Sequence, residues 1–171
     1  MKRPDKSEFE AAYLSYYIDL VQGGDVLKVL ETQQTSTAKF IRLLTEEQGN
    51  HRYAPEKWSL KEVFGHVIDT ERIFIYRLLC IARGEKQSLP GYEQNDYAAV
   101  SGYNNRNMSD IAEEYDAVRA ATLTLIKHLS EDVMSNKGMA NGKTITPRAI
   151  AFATAGHELH HINVIKTKYL Q

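Results

Sequence analysis

Three histidines crowd one short stretch, Gly156-His157-Glu158-Leu159-His160-His161. On a helix, residues four apart lie about 40° apart in azimuth and one turn apart in height. His157 and His161 can therefore aim both imidazoles at one point. Ile150, Ala153 and Val164 fall on the same stripe, so the pair faces packed apolar surface. Two buried imidazoles without partners are costly. A shared metal ion removes that cost; bonds to backbone or water are the alternative. The string also matches His-Glu-x-x-His, the pattern of zinc metalloproteases. Those enzymes take a third ligand from downstream, and Ile162 to Gln171 hold no Glu, Asp, His or Cys. The protease reading fails there. A di-iron bundle needs a second Glu-x-x-His beside Glu158-x-x-His161, and none is present.

A third ligand must come from upstream. His66 lies one turn inside a helix that opens at Ser59, about 100° from Val67 and at the margin of the buried stripe. From there it can reach a neighbouring helix, or bond a carbonyl. His51 falls in a Gly-Asn loop and His128 points away from the Leu125/Leu129 stripe, so both read as solvated. His160, about 100° from His161, supports the pair or packs. Glu158 is a candidate general base by its place in the string, with an interhelical salt bridge as the alternative. Glu71 sits on an apolar stripe, which calls for an arginine partner or for a role orienting a ligand histidine. Asp69 points outward.

The elements that must position these residues are helical. Ser7-Glu8-Phe9-Glu10 reads as a capping box opening a short first helix, which Gly23-Gly24 stop. Asp25 caps a second helix with the stripe Val26, Leu30, Gln33, Thr37, Phe40 and Leu44, ended by Gly49-Asn50. Ser59 and Glu62 cap a third, with Leu60, Phe64, Val67, Glu71, Phe74, Leu78 and Ile81 on one face and Gly84 at its end. Ser109-Asp110 open a fourth, through Ile111, Tyr115, Val118, Thr122, Leu125 and Leu129. Thr146-Pro147 opens the last, which runs to about Tyr169. Strand signals are almost absent. The expectation is an all-α, four-helix bundle with a short N-terminal helix. Residues 85–108 form a long crossover that lets the second and third bundle helices run parallel and can cover a site.

The 171 residues suit a single domain, 1–171, and 43% apolar content builds a real core. With 21 Lys+Arg against 22 Asp+Glu, no basic surplus exists to displace counterions from nucleic acid. The one cysteine, Cys80, excludes an internal disulfide and a multi-cysteine zinc site. The longest apolar run, Ile73 to Ala82, carries Arg77 in its middle, so no membrane span is expected. The N-terminus leads into polar sequence. A cytoplasmic location is the resulting expectation. Phe152, Leu159 and Ile162 lie opposite the histidine face, and either the N-terminal helix or a second subunit must cover them. A homodimer is expected on that ground.

The segment Arg52-Tyr53-Ala54-Pro55-Glu56-Lys57-Trp58-Ser59-Leu60-Lys61-Glu62-Val63-Phe64-Gly65-His66 and its continuation to Arg72 resemble the DinB-like family. So do Ala155 to His161 and the loop Leu89-Pro90-Gly91-Tyr92. The resemblance covers nearly the whole chain. It implies a four-helix bundle with a crossover and a metal ion held by three histidines, here His66, His157 and His161. It further implies a hydrolase or a thiol-dependent transferase acting on a small molecule, with a low-molecular-weight thiol as a partner. Imidazole ligands suit zinc or nickel, and also accept iron or manganese. The alternatives are a non-catalytic, metal-binding stress-response protein and a helical interaction module without metal.

Overall fold

In the computed structural model, residues 1–170 are described. Eight helices follow in chain order: α1 (Ala12–Leu20), α2 (Val26–Leu43), α3 (Glu46–Asn50), α4 (Leu60–Ala82), α5 (Gln94–Val100), α6 (Met108–Ile126), α7 (Glu131–Met134) and α8 (Pro147–Val164). The four long ones, α2, α4, α6 and α8, make the bundle. Paired side chains fix their directions. Leu60, Phe64 and Ile68 share one cluster with Met108, Ile111 and Tyr115, and Phe74, Leu78 and Ile81 share the other with Leu123 and Ile126, so α4 and α6 run parallel, as the crossover allows. Gln33 reaches the Ala155 carbonyl and Thr37 reaches Glu158, so α2 and α8 also run parallel. His66 meets His161 as well as His157, while Phe74 meets His157, so α4 and α8 are antiparallel.

The caps follow local chemistry. The Asp25 carboxylate accepts from the Leu27 N–H, the Ser59 hydroxyl from Glu62, and the Thr146 hydroxyl from Ala149, with Pro147 in the first helical position. Three boundaries differ from the sequence expectation. The first turn is capped by Asp5, whose N–H donates to Glu8, and α1 starts later, at Ala12. The second helix stops at Leu43, and Thr45 caps the separate short α3 through Gln48. Asn107 precedes α6, which starts at Met108, one residue ahead of the expected Ser109. After Val164 the last helix continues as a π-helical turn, Ile165–Tyr169.

A two-stranded antiparallel hairpin, β1 (Gly138–Ala140) and β2 (Lys143–Ile145), was not expected. Its turn is Asn141-Gly142, both at positive φ (50° and 69°), the geometry that two-residue hairpins require. The hairpin ties the crossover down: the Leu89 N–H donates to the Met139 carbonyl and the Asn141 N–H to the Leu89 carbonyl.

The apolar core lies in two clusters, one around Leu30, Phe74, Leu78, Ile126 and Phe152, the other around Ile41, Phe64, Ile68, Ile111 and Ile165. The helix positions between them carry polar groups: Gln33 and Thr37, Glu71, Arg119, His157 and Glu158, all buried. The back of α8 is covered in part inside the chain, with Leu159 and Ile162 half-buried. Phe152 is fully buried, and α1 packs against α8 so closely that a Cβ on Gly156 would meet the Tyr17 carbonyl oxygen at 1.9 Å. Among the described residues, no helix is long and apolar enough to cross a membrane.

Candidate metal centre

His66 comes from α4, and His157 and His161 from successive turns of α8. The structure brings all three together. Ring centroids are 4.9 Å apart for His66 and His157, 4.8 Å for His66 and His161, and 4.5 Å for His157 and His161. The Nε2 of His157 stands 3.0 Å from that of His66 and 3.1 Å from that of His161. Two nitrogens each about 2.0–2.1 Å from one tetrahedral zinc would stand about 3.3 Å apart. The two spacings at His157 are therefore close to what one shared cation needs, and all three ligand nitrogens lie within 4.8 Å of one another.

The donor chemistry fits as well. Burial pushes His66 down to about 4 and His161 down to about 3, and holds His157 well below its ordinary value. All three rings are neutral near pH 7, the state in which imidazole binds metal. A neutral imidazole has one N–H and one bare nitrogen. The Nδ1 of His66 faces the Thr70 hydroxyl at 3.3 Å, which itself lies 2.8 Å from the Tyr92 hydroxyl. With the His66 proton on Nδ1, its Nε2 is a lone pair. His157 Nε2 then faces two neighbours with at most one proton to share, and a cation would satisfy all three nitrogens.

The cluster borders a cavity of about 300 Å³. His66 and His157 line it, with Tyr17, Thr70, Phe74 and Tyr92 among the other walls. Tyr17 sets its ring edge-on to His157 at 5.3 Å, and Trp58 covers His66 at 4.9 Å. Burial raises the pKa of Tyr17 and Tyr92, so both phenols keep their protons.

The structure places Glu158 elsewhere. It is 1% exposed, faces α2 and α6, and does not line the cavity. Its Oε1 accepts from Thr37 at 2.6 Å, and its Oε2 from Tyr115 at 2.9 Å and Arg119 at 2.6 Å. Glu71 is held by the same arginine, through Nε and Nη2 at 2.8 Å each. Arg119 also donates to the Leu30 carbonyl and Gln33. Burial alone would lower the Arg119 pKa, but Glu158 and then Glu71 carry it above its ordinary value. Of the other histidines, His51 and His128 are exposed; His160 packs on Tyr16 and Tyr17, its Nδ1 3.2 Å from the Tyr16 hydroxyl.

Sequence reasoning passed over Arg119, Thr70 and Tyr92. Arg119 is four residues beyond Tyr115 and three before Thr122, so it lies on the buried stripe that the expectation ran through Val118.

Residues 30–165 match the DinB superfamily. The chain belongs to that superfamily. A protein of Oceanobacillus iheyensis whose name assigns it provisionally to the metal-dependent hydrolases is 21% identical over 142 residues, 82% of this chain and 81% of its own. The fold is similar to that of YfiT from Bacillus subtilis, provisionally a metal-dependent hydrolase and noted for an unusual four-helix bundle topology. That match has a TM-score of 0.75 and 17% identity, and covers 91% of this chain and 95% of the other. It is also similar to a mycothiol-dependent maleylpyruvate isomerase, with a TM-score of 0.64 and 14% identity, over 80% of this chain and 58% of that longer one.

Proposed function

We propose that this DinB superfamily protein is a metal-dependent enzyme that acts on a small molecule at a cation held by His66, His157 and His161. The observation that carries the reading is the convergence of three neutral imidazoles, two of which, His66 and His157, line an open cavity. A metal that only clips helices together would be closed off by a fourth ligand. Zinc or nickel suits the donors best, and iron or manganese is accepted. Bound there, the ion would act as a Lewis acid, lowering the pKa of water for hydrolysis or of a thiol for group transfer. A low-molecular-weight thiol as partner is supported by the shared fold with the mycothiol-dependent isomerase. Thr70 and Tyr92 fix the His66 ring, and Tyr17, Phe74 and Trp58 shield the site from bulk water. Glu158 serves as a positioning residue in this reading, because both its oxygens are already engaged. Free Cys80 suits a cytoplasmic setting, and exposed Tyr13 and Tyr16 on α1 offer a surface for a homodimer, which a sedimentation mass about twice 19.4 kDa would report.

Protein purified without a histidine tag should contain about one metal ion per chain by mass spectrometry, and His157→Ala should contain under about a tenth of that while melting as a folded protein. Equal metal content in both proteins would overturn the reading. Joint loss of metal and fold would make the ion a structural clip.

A further inference from the structure

Four lysines and arginines are buried: Lys61, Arg77, Arg119 and Arg148. Three have carboxylate partners. Lys61 pairs with Glu46, Arg119 with Glu71 and Glu158, and Arg148 with Glu8 and Glu131. Arg77 differs. It is only 7% exposed, yet among the described residues no carboxylate lies within ion-pair distance of it. Its contacts are one hydrogen bond, from Nη2 to the Pro90 carbonyl at 2.6 Å, and the face of the Tyr92 ring, 5.9 Å from its Cζ. A desolvated guanidinium without a counter-ion is costly. Its Nε and Nη1 have no hydrogen-bond partner, but neither is sealed away from open space, since Arg148 Nε is the one buried, unpartnered side-chain nitrogen found among the described residues. Arg77 borders three open spaces, and the largest of them, about 300 Å³, is the cavity that His66 and His157 line.

Nothing about this placement is loose. Arg77 follows His66 by eleven residues on α4, three turns, so the two share a face about 16 Å apart along the axis. The Pro90 carbonyl that anchors the guanidinium sits next to Leu89, which the hairpin grips on both sides. The cavity between has aromatic walls, Tyr13, Tyr17, Phe74 and Tyr92.

We infer that Arg77 is the anion-recognising residue of the cavity, and that the ligand is a small, elongated carboxylate with an apolar or aromatic body. Its carboxylate pairs with the free edge of the guanidinium and its far end approaches the three histidines. The inference rests on reading the cavity as the substrate site. A single cation, with Glu93 also on the cavity wall, favours one negative charge over a phosphate dianion.

The test uses 3-phenylpropionate, its neutral amide and 2-phenylethyl phosphate as probes. Their affinities are measured by calorimetry at pH 7.5 on metal-free and zinc-loaded protein. The metal-free arm removes any direct bond between carboxylate and zinc. Wild-type protein without metal should prefer the acid to the amide by about 10-fold to 100-fold. Arg77→Met should bring that ratio to within about twofold, and Arg77→Lys should keep part of it. In wild-type protein the Arg77 Nε–H resonance should shift with the acid and stay still with the amide, a readout that stands even if the methionine variant does not fold. A wild-type ratio near one, binding of neither probe, or a ratio that survives Arg77→Met overturns the inference. Tighter binding of the phosphate overturns the choice of carboxylate. If the preference holds in a protein that takes up no metal, the metal reading fails and Arg77 stands; if metal binds without the preference, Arg77 fails alone.

Discussion

Removing the cation at the centre of the bundle should cost more than any single apolar truncation nearby. Arg119 is 0% exposed and holds two carboxylates that are 3% and 1% exposed, Glu71 and Glu158. In Arg119→Met the side-chain volume is roughly kept, so little cavity forms. The loss is electrostatic: two buried carboxylates lose their shared cation, and the Leu30 carbonyl and Gln33 lose a donor. Breaking a buried ion pair from one side costs about 3–5 kcal/mol, and two stranded carboxylates place this variant at or above the upper end. Urea unfolding followed by circular dichroism at pH 7 would read that as a midpoint lower by about 2.5 M or more, for a slope of about 2 kcal/mol per M. The triple variant Arg119→Met, Glu71→Gln, Glu158→Gln should recover most of the loss, because no charge is then left unpaired. A loss below about 1 kcal/mol in the single variant, or no recovery in the triple, would refute this account of the polar layer.

Three further outcomes follow from the same geometry. In metal-free protein, folded His66 and His161 hold off protonation until about pH 4 and 3, whereas the unfolded chain takes up those protons below about 6.5. The unfolded state thus binds more protons, and stability present above pH 6.5 is lost as pH falls towards 4, a loss of a few kcal/mol. EDTA-treated protein with an unchanged urea midpoint between pH 6.5 and 5 would contradict it. Gly156→Ala should destabilise by about 1–3 kcal/mol or more, since the added methyl meets the α1 backbone, which cannot step aside as a side chain could; a melting temperature within a degree of wild type would count against the packing of α1 on α8. Thr70→Val keeps the shape but removes the oxygen beside His66 Nδ1, and should weaken zinc affinity by about 10-fold to 100-fold in a competition titration with a chelator; unchanged affinity would remove Thr70 from the site.

The bundle was legible because its long helices carry regular apolar stripes and strong caps. Asp25, Ser59 and Thr146 each bond the N–H that their positions imply. The histidine triad was legible for a related reason: i,i+4 spacing is a local property, and His66 could be found by elimination and by resemblance. What was not legible depends on contacts between distant segments. Arg119 falls on the buried stripe, but that it is the arginine Glu71 calls for shows only once Glu71 and Glu158 are seen around it. Thr70 and Tyr92 meet only because the crossover folds back over α4, which no local pattern reveals. The hairpin did have a signal, the Asn141-Gly142 pair, but its flanking strands are only three residues each, too short for an alternation to show.

The central claim is one cation shared by three imidazoles. Anomalous difference maps collected at the zinc and nickel edges, from crystals grown without added metal, test it most directly. A single peak about 2.0–2.1 Å from the Nε2 of His66, His157 and His161 is the predicted result. Full-occupancy rings with no peak between them, or a peak bound by other residues, would contradict it.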